Sequence, residues 1–125
     1  MVVNILNKVV VSDQYLEETN LLVVYFNDHP TQIYDLAQPI PDTIRSIVAR
    51  DNHLLYIEFV NGEEKYYNMV NRLTGVFSFL SDINEFQKVK LVHEGKAIGW
   101  NHQGKLIDLW VDSLYFHSYP IENES

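Results

Sequence analysis

Apolar and polar residues alternate with a period of two through much of the first 69 residues, which is the pattern of half-buried strands. The clearest example is the pair LLYIEFV and EEKYYNM, which flank the Asn-Gly dipeptide at 61–62. Asn-Gly favours a two-residue hairpin turn. Such a turn sets Glu58 opposite Lys65 on the outer face, and it sets Tyr56 beside Tyr67 in the same way. A longer loop shifts every pair, so the predicted register depends on the loop length.

A weaker copy of this hairpin, NLLVVYFNDHPTQIYDL, lies 33 residues earlier in the chain. The offset places Leu22 on Leu55 and Phe26 on Phe59, and upstream VVVSD resembles IVARD with one gap. Two interpretations stay open: an internal repeat of a three-stranded meander, or two hairpins that share only the period-two pattern. Pro30 replaces the Asn-Gly turn region of the copy and lacks a backbone donor, which predicts an edge strand.

The remaining pattern predicts further elements. In the N-terminal part they are a strand at 2–11, the polar connector DQYLEETN, a strand at 21–26, a turn at NDHP, a strand at QIYDL and a strand at 44–50. Beyond residue 69 apolar residues recur at spacings of three and four, which is a helical period. Ser81 or Asp82 is a suitable N-cap there. Strands follow at KVKLV, AIGW and KLIDLW, and VDSLYFHSY closes the fold as a short helix or a last strand.

These elements predict an α+β fold, mainly an antiparallel sheet of meanders and hairpins with one or two short helices around residues 70–87. A chain of 125 residues has the size of one domain. We predict a single domain over residues 1–119, in which 1–43 form an extra N-terminal meander and 44–119 form the core. The polar residues 120–125 are predicted to be a flexible tail.

Composition narrows the classes of function. The chain has no cysteine, which excludes disulfides, thiol catalysis and thiolate zinc sites. Lys8 lies inside the apolar N-terminal run rather than before it, unlike the charge of a secretory signal. No window reaches 18 uninterrupted apolar residues, so no membrane contact is expected. The prediction is a soluble, cytoplasmic protein.

The formal charge is −8, and it is uneven along the chain. Residues 1–43 hold one lysine and six carboxylates, a net of −5, while residues 44–125 hold eight positive and 11 negative charges, a net of −3. Nucleic-acid binders need clustered Lys and Arg, and this chain has none. Direct nucleic-acid binding is therefore not expected. A basic protein partner fits the charge, and a surface that is acidic only for solubility fits it equally.

Motifs of catalysis and of cofactor or metal binding are not evident. The five histidines are scattered, no Gly-x-Ser-x-Gly elbow occurs and no glycine-rich phosphate loop occurs, so no catalytic residue, cofactor or metal is predicted. Asp108 and Asp112 are four residues apart and are followed by His117, which could form a carboxylate–histidine site. The alternative is structural: Asp112 caps the closing turn, and Asp108 ends a strand.

Tyrosines are the stronger indication of a binding surface. In the predicted register Tyr25, Tyr56 and Tyr67 lie on the face opposite Leu55 and Phe59. An uncovered face of this kind would be a tyrosine-rich patch for a partner. The alternative is that the helix or the extra meander buries the three side chains.

From about residue 44 to 119 the order of motifs resembles a bacterial family catalogued as domain of unknown function 2442. The motifs are IEFVNGE, YYNM, GVFSFL, DINEF, the hairpin residue Trp100, and DSLY at 112–115. The segment NHQGKLIDLWV is longer than the family's link, and residues 1–43 fall outside the match. The resemblance implies a small α+β domain in which Trp100 and Tyr115 are core residues. Some family members lie beside toxin-like proteins, which implies an antitoxin-like or accessory role.

Three hypotheses of function follow. The first is a non-enzymatic protein-interaction module with a basic partner. The second is a small-molecule-binding protein or enzyme that uses the Asp108, Asp112 and His117 region. The third is a homo-oligomer that pairs through the edge strand near Pro30. The candidate interaction residues are Tyr25, Tyr56, Tyr67, Trp100, Asp108, Asp112 and Tyr115.

Overall fold

The computed structural model describes residues 9–27 and 29–121, which form an α+β fold of antiparallel strands with short helices. The strands of this part are β1 (Val10–Leu16), β2 (Leu21–Phe26), β3 (His29–Asp35), β4 (Ile44–Arg50), β5 (Leu54–Phe59), β6 (Glu64–Asn68), β7 (Lys90–Val92), β8 (Ala97–His102), β9 (Lys105–Trp110) and β10 (Tyr119–Pro120). The helices are α1 (Ile83–Phe86), α2 (Val111–His117) and the 3₁₀ turns Asp51–His53, Val70–Arg72, Gly75–Ser81 and His93–Gly95. The predicted fold class is confirmed.

The described strands form three antiparallel sheets. Strands β1, β2 and β3 form the first sheet in that order, here called the first meander. The central sheet has the order β10-β6-β5-β4 and contains the second meander, β4 to β6. Strands β7, β8 and β9 form the third sheet. Each meander is thus a local three-stranded unit.

The first meander begins later than predicted. The strand expected at 2–11 is β1, which runs through the segment DQYL that was read as a connector; residues 1–8 lie outside the described part of the chain. Polar residues are tolerated in β1 because it lies at a sheet edge, where most of its side chains are exposed. The turn predicted at NDHP is also wrong in part, since β3 already begins at His29. The predicted edge position of Pro30 is confirmed.

The central hairpin closes through a three-residue loop instead of the predicted two-residue turn. The Phe59 amide donates to the Glu63 carbonyl at 2.9 Å, which leaves residues 60–62 as the loop. Gly62 takes a φ of 91°, a left-handed conformation that glycine adopts without strain. The Asn61 side chain accepts from the Glu63 amide at 3.0 Å and stabilises the longer loop. The predicted register is therefore wrong by one residue.

This shift of one residue changes the face on which each β6 side chain lies. Lys65 opposes Ile57, and Tyr67 opposes Leu55, so both side chains lie on the inner face of the sheet. Lys65 is 2% exposed and Tyr67 is 1% exposed. The predicted pairing of Lys65 with Glu58 on the outer face does not occur, because opposing residues of an antiparallel pair share one face.

The two meanders have matching registers. Leu22 opposes Tyr34 in the first, as Leu55 opposes Tyr67 in the second. In both, the pairing of the outer and middle strands is interrupted at the same place, between Val10 and Ser12 and between residues 44 and 46. The first strands are thus offset by 34 residues and not by the 38 that VVVSD on IVARD requires. The other two strands keep the offset of 33.

The main core lies between the central sheet, the third sheet and the short helices. Its members are buried side chains: Ile44, Leu55, Ile57, Phe59, Tyr67, Met69, Leu80, Phe86, Ile98, Trp100, Val111 and Leu114. Trp100 is 1% exposed, and its indole Nε1 donates to the Phe86 carbonyl at 2.9 Å, so its predicted place in the core is confirmed. Tyr115 is half-buried and packs against this core. Asp82 caps α1 as predicted, accepting from the Asn84 amide.

A second, smaller cluster joins the first meander to the end of the chain. Val24, Phe26 and Tyr119 are its buried members, and the rings of Phe26 and Tyr119 meet edge to face at 5.3 Å. Strand β10 pairs with β6, and the Ile121 amide donates to the Glu64 carbonyl at 3.0 Å. The tail predicted at 120–125 is therefore wrong for its first two residues, and residues 122–125 lie outside the described range.

Candidate functional site

The three predicted interface tyrosines lie in different environments. Tyr67 lies on the inner face of the central sheet, contrary to prediction, because the three-residue loop reverses its orientation. Tyr56 lies on the outer face of the same sheet, stacks edge to face on Tyr66 at 5.4 Å and donates its hydroxyl to Glu64. Tyr25 lies on the outer face of the first meander, 38% exposed. They do not form one patch.

The structure gives Asp108, Asp112 and His117 separate partners. The ring of His93 is hydrogen-bonded to Asp108 at 2.9 Å, whereas His117 is hydrogen-bonded to Asp13 at 2.8 Å. Asp112 accepts from the backbone amide of the next residue at 2.8 Å. Asp112 is not the cap of α2, because the helix already begins at residue 111 and Asp112 lies in its first turn. The three side chains are thus not assembled into one site.

The Asp13–His117 pair is a contact that sequence spacing could not indicate, since 104 residues separate its members. The other ring nitrogen of His117 lies 3.5 Å from the Ser113 hydroxyl, one turn earlier on α2. The pair lines an open cleft of about 470 Å³ together with Arg72 and Asn71. The amide of Asn71 is already bound to the Val10 carbonyl at 3.0 Å. The arrangement joins β1 to α2.

The outer face of the first meander is an apolar surface. We use the term outer face for the side chains of Leu16, Leu21, Val23, Tyr25 and Ile33, which share one side of β1, β2 and β3. Ile33 is 63% exposed, and in the described part of the chain no other element packs on this side in either hydrophobic cluster. Contiguous exposed apolar side chains of this kind mark interaction sites.

Acidic residues surround the outer face. Asp35 opposes Leu21 in the register and therefore lies on the same side of the sheet. Glu17 and Glu18 follow directly after Leu16 in the turn to β2, and both are exposed. Residues 9–43 contain no lysine or arginine. The electrostatic potential at this face is therefore negative.

A second, polar cleft lies where the two meanders meet. It has a volume of about 340 Å³ and is lined by Gln32, Tyr34, Gly62, Glu63, Glu64, Lys65, Tyr115, Pro120 and Ile121. Lys65 lies at its base. The Nζ atom donates to the Tyr34 hydroxyl at 2.9 Å and to the Tyr115 carbonyl at 2.8 Å. It also lies 3.7 Å from the centre of the Tyr115 ring. We call this region the Lys65 cleft.

Burial changes the proton affinity of every ionisable group in the Lys65 cleft wall. It lowers the pKa of Lys65 from 10.5 to about 8, and the charge of Glu63 opposes part of that shift. Burial, followed by a hydrogen bond to Glu63, raises the pKa of Tyr115 to about 12. Burial also raises the pKa of Tyr34. Near neutral pH the tyrosines keep their protons, while part of the Lys65 population loses its own.

Sequence reasoning missed Lys65, and one signal could have indicated it. With a three-residue loop the period-two pattern already places Lys65 among the inward positions of β6. The Asn-Gly preference for a two-residue turn hid that possibility. Tyr34 could not be found in this way, because its contact with Lys65 depends on how the two meanders pack.

No family model, curated protein or solved structure matches this chain. Among the described residues no group of three or more His, Asp or Glu side chains is placed to hold a metal ion. In the same part of the chain no helix is long and apolar enough to cross a membrane.

Proposed function

We propose that this chain is a protein-interaction module that binds a basic protein partner on the outer face of the first meander. One observation carries the proposal: an exposed apolar sheet face whose surrounding charges are all acidic. The apolar centre, with Ile33 and Tyr25, supplies the area that leaves water on binding. The acidic rim selects a partner with lysine or arginine around a complementary apolar patch.

The resemblance to domain of unknown function 2442 supports the same kind of role. Its antitoxin-like or accessory members are expected to bind a small toxin-like protein, and a basic toxin would complement this rim. The proposal places that contact in residues 9–35, which lie outside the region of resemblance. The family-like region would then support the binding surface without providing it.

The test compares two variants that each add one negative charge at an exposed β-branched residue. Ile33→Glu places the charge in the outer face, whereas Val48→Glu places it on β4 of the second meander, where Val48 is 46% exposed. A partner is first isolated with the wild-type chain and then purified. We expect Ile33→Glu to weaken its binding at least about tenfold, because the new carboxylate must be desolvated in an apolar contact. Val48→Glu should leave the affinity unchanged.

Salt dependence is the second measurement. Affinity for the purified partner should fall when the ionic strength rises from about 0.05 M to 0.5 M, because screening weakens attraction between exposed charges. The double variant Glu17→Gln with Glu18→Gln should reduce that dependence. Equal affinities of Ile33→Glu and Val48→Glu, or affinity that does not respond to salt, would contradict the proposal. Dimers of the wild-type chain that Ile33→Glu separates in light scattering would show that a second copy occupies the face instead.

A further inference from the structure

Lys65 stands at a position where a cation is costly. It occupies the inner face of the central sheet, opposite Ile57, and it is 2% exposed. The ion pairs found among the described residues do not include it. Its two hydrogen-bond acceptors, the Tyr34 hydroxyl and the Tyr115 carbonyl, are neutral. A buried ammonium without a directly bound carboxylate destabilises a fold, and such groups cluster at functional sites.

The matching position of the first meander shows that the fold does not require this charge. Gln32 opposes Val24 as Lys65 opposes Ile57, and the two residues lie at the same place in their registers. Gln32 lines the same cleft, so a neutral side chain is accommodated there. The charge at Lys65 is thus specific to one meander, and it is the one at the base of the cleft.

The Lys65 cleft has the parts that amine chemistry needs. Its volume of about 340 Å³ lies within the range of small-molecule sites. The Tyr34 oxygen accepts from Nζ, so its own hydrogen can be donated to a ligand. The ring of Tyr115 forms one wall 3.7 Å from Nζ. A nucleophilic amine beside a hydroxyl proton donor in a partly desolvated cleft is the arrangement of imine-forming lysines.

We propose that the Lys65 cleft binds a small neutral or cationic carbonyl compound and that Lys65 condenses with it to form an imine. The Nζ lone pair attacks the carbonyl carbon, and the carbonyl oxygen takes up a proton, which gives a carbinolamine. The carbinolamine then loses its hydroxyl group as water, with Tyr34 donating the proton to the departing oxygen, and the nitrogen loses its remaining proton. The reaction is a reversible condensation and needs neither an oxidant nor a reductant.

Two features support the assignment and its specificity. About half of the Lys65 amine is unprotonated at pH 8, because burial lowers its pKa to about 8. Glu63 and Glu64 are exposed and line the cleft. Their charges disfavour a ligand that carries a carboxylate, so a neutral aldehyde should react in preference to a 2-oxo acid.

The test is reductive trapping of the full chain at pH 7.5 with limiting propanal and cyanoborohydride, followed by peptide mass mapping. We expect the propyl group on Lys65 at least about tenfold more often than on the exposed Lys96 or Lys105, because the exposed amines remain protonated at this pH. Labelling of Lys65 should level off above about pH 8 to 9, while labelling of the other two keeps rising. Pyruvate in place of propanal should label Lys65 less.

Variants separate a reactive Lys65 from a structural one. Tyr34→Phe should slow labelling of Lys65 several-fold, because it removes the proton donor. Tyr67→Phe, on the same sheet but outside the cleft, is the control and should leave the rate unchanged. Circular dichroism establishes that both variants are folded. Labelling of Lys65 at or below the rate of Lys96, or equal rates in Tyr34→Phe and Tyr67→Phe, would overturn the proposal and leave Lys65 as a link between the meanders.

Discussion

The two meanders share one backbone register but differ in what covers them. The inner face of the second packs against the third sheet, α2 and the short helices, which together form the main core. The inner face of the first packs on a small cluster that ends at Tyr119. The same strand pairing thus supports a fully enclosed sheet in one place and a thinly covered sheet in the other. Strand pattern specifies the pairing, while the surrounding elements decide which faces are buried.

Side chains at matching positions consequently differ in role. Tyr67 is enclosed, and its hydroxyl has no hydrogen-bond partner among the described residues. Tyr34, its counterpart, accepts from Lys65 at the junction of the meanders. Val23 and Ile33 form part of an exposed apolar face in the first meander. Binding and chemistry therefore gather on and beside the first meander, where coverage is incomplete.

The largest expected contrast is between the matching phenylalanines. Phe59→Ala should lower the free energy of unfolding by about 3–5 kcal/mol, because it leaves a cavity in the main core. Phe26→Ala should lower it by about 2 kcal/mol, because the small cluster is 7% exposed at this residue and fewer side chains surround it. Urea denaturation followed by tryptophan fluorescence measures both. Equal losses would mean that the first meander has a core as effective as the second.

The pH dependence of stability should differ between the matching residues Lys65 and Gln32. Between pH 8 and 10 the folded chain has released the Lys65 proton, while the unfolded chain, with the ordinary pKa of 10.5, retains it. The unfolded state then binds more protons, so stability rises with pH through this window, by about 2 kcal/mol in total. Lys65→Met should remove the rise, and Gln32→Met should keep it. Urea midpoints at pH 7.5 and 9.5 measure it; an unchanged slope in Lys65→Met would refute this account.

The matching tyrosines should respond oppositely to loss of the hydroxyl group. Tyr34→Phe should cost about 1–3 kcal/mol, because Lys65 loses an acceptor while it stays buried. Tyr67→Phe should be neutral or slightly stabilising, because its buried hydroxyl makes no hydrogen bond with the described residues. Thermal and urea unfolding of the two variants at pH 7.5 test the difference. A marked loss in Tyr67→Phe would reveal a partner for that hydroxyl.

The smallest effect on stability is expected on the outer face. Ile33→Ser should change the free energy of unfolding by less than about 0.5 kcal/mol, because Ile33 is 63% exposed. The same substitution should still weaken partner binding. A loss of stability above about 1 kcal/mol, measured by urea denaturation, would mean that the chain itself covers this face.

Most of the fold could be predicted from the sequence because its strands depend on local pattern. The alternation in LLVVYF and LLYIEFV, the helical spacing after residue 69 and the Asp82 cap are all local signals, and each led to the right element. Strand β1 was misplaced because an edge strand can be polar, so that DQYL carries no alternation. The register of the central hairpin was wrong because Asn-Gly also fits a three-residue loop.

The candidate sites were less predictable, because they depend on contacts distant in sequence. Tyr25 was identified from its face, and it does lie on an exposed apolar surface. Lys65 meets Tyr34 across 31 residues and Tyr115 across 50, and His117 meets Asp13 across 104. No spacing rule covers such contacts, since they follow from the packing of one meander on the other. Charge counting indicated the acidic rim but not the apolar face that it surrounds.

The three-residue loop at 60–62 has a further consequence for how this chain can change. Because side chains alternate along a strand, removing one loop residue would turn every β6 side chain over. Lys65 would leave the cleft and emerge on the solvent side, and Tyr66 would enter the core in place of Tyr67. One codon deleted in that loop is therefore enough to abolish the cleft while every amino acid around it stays the same.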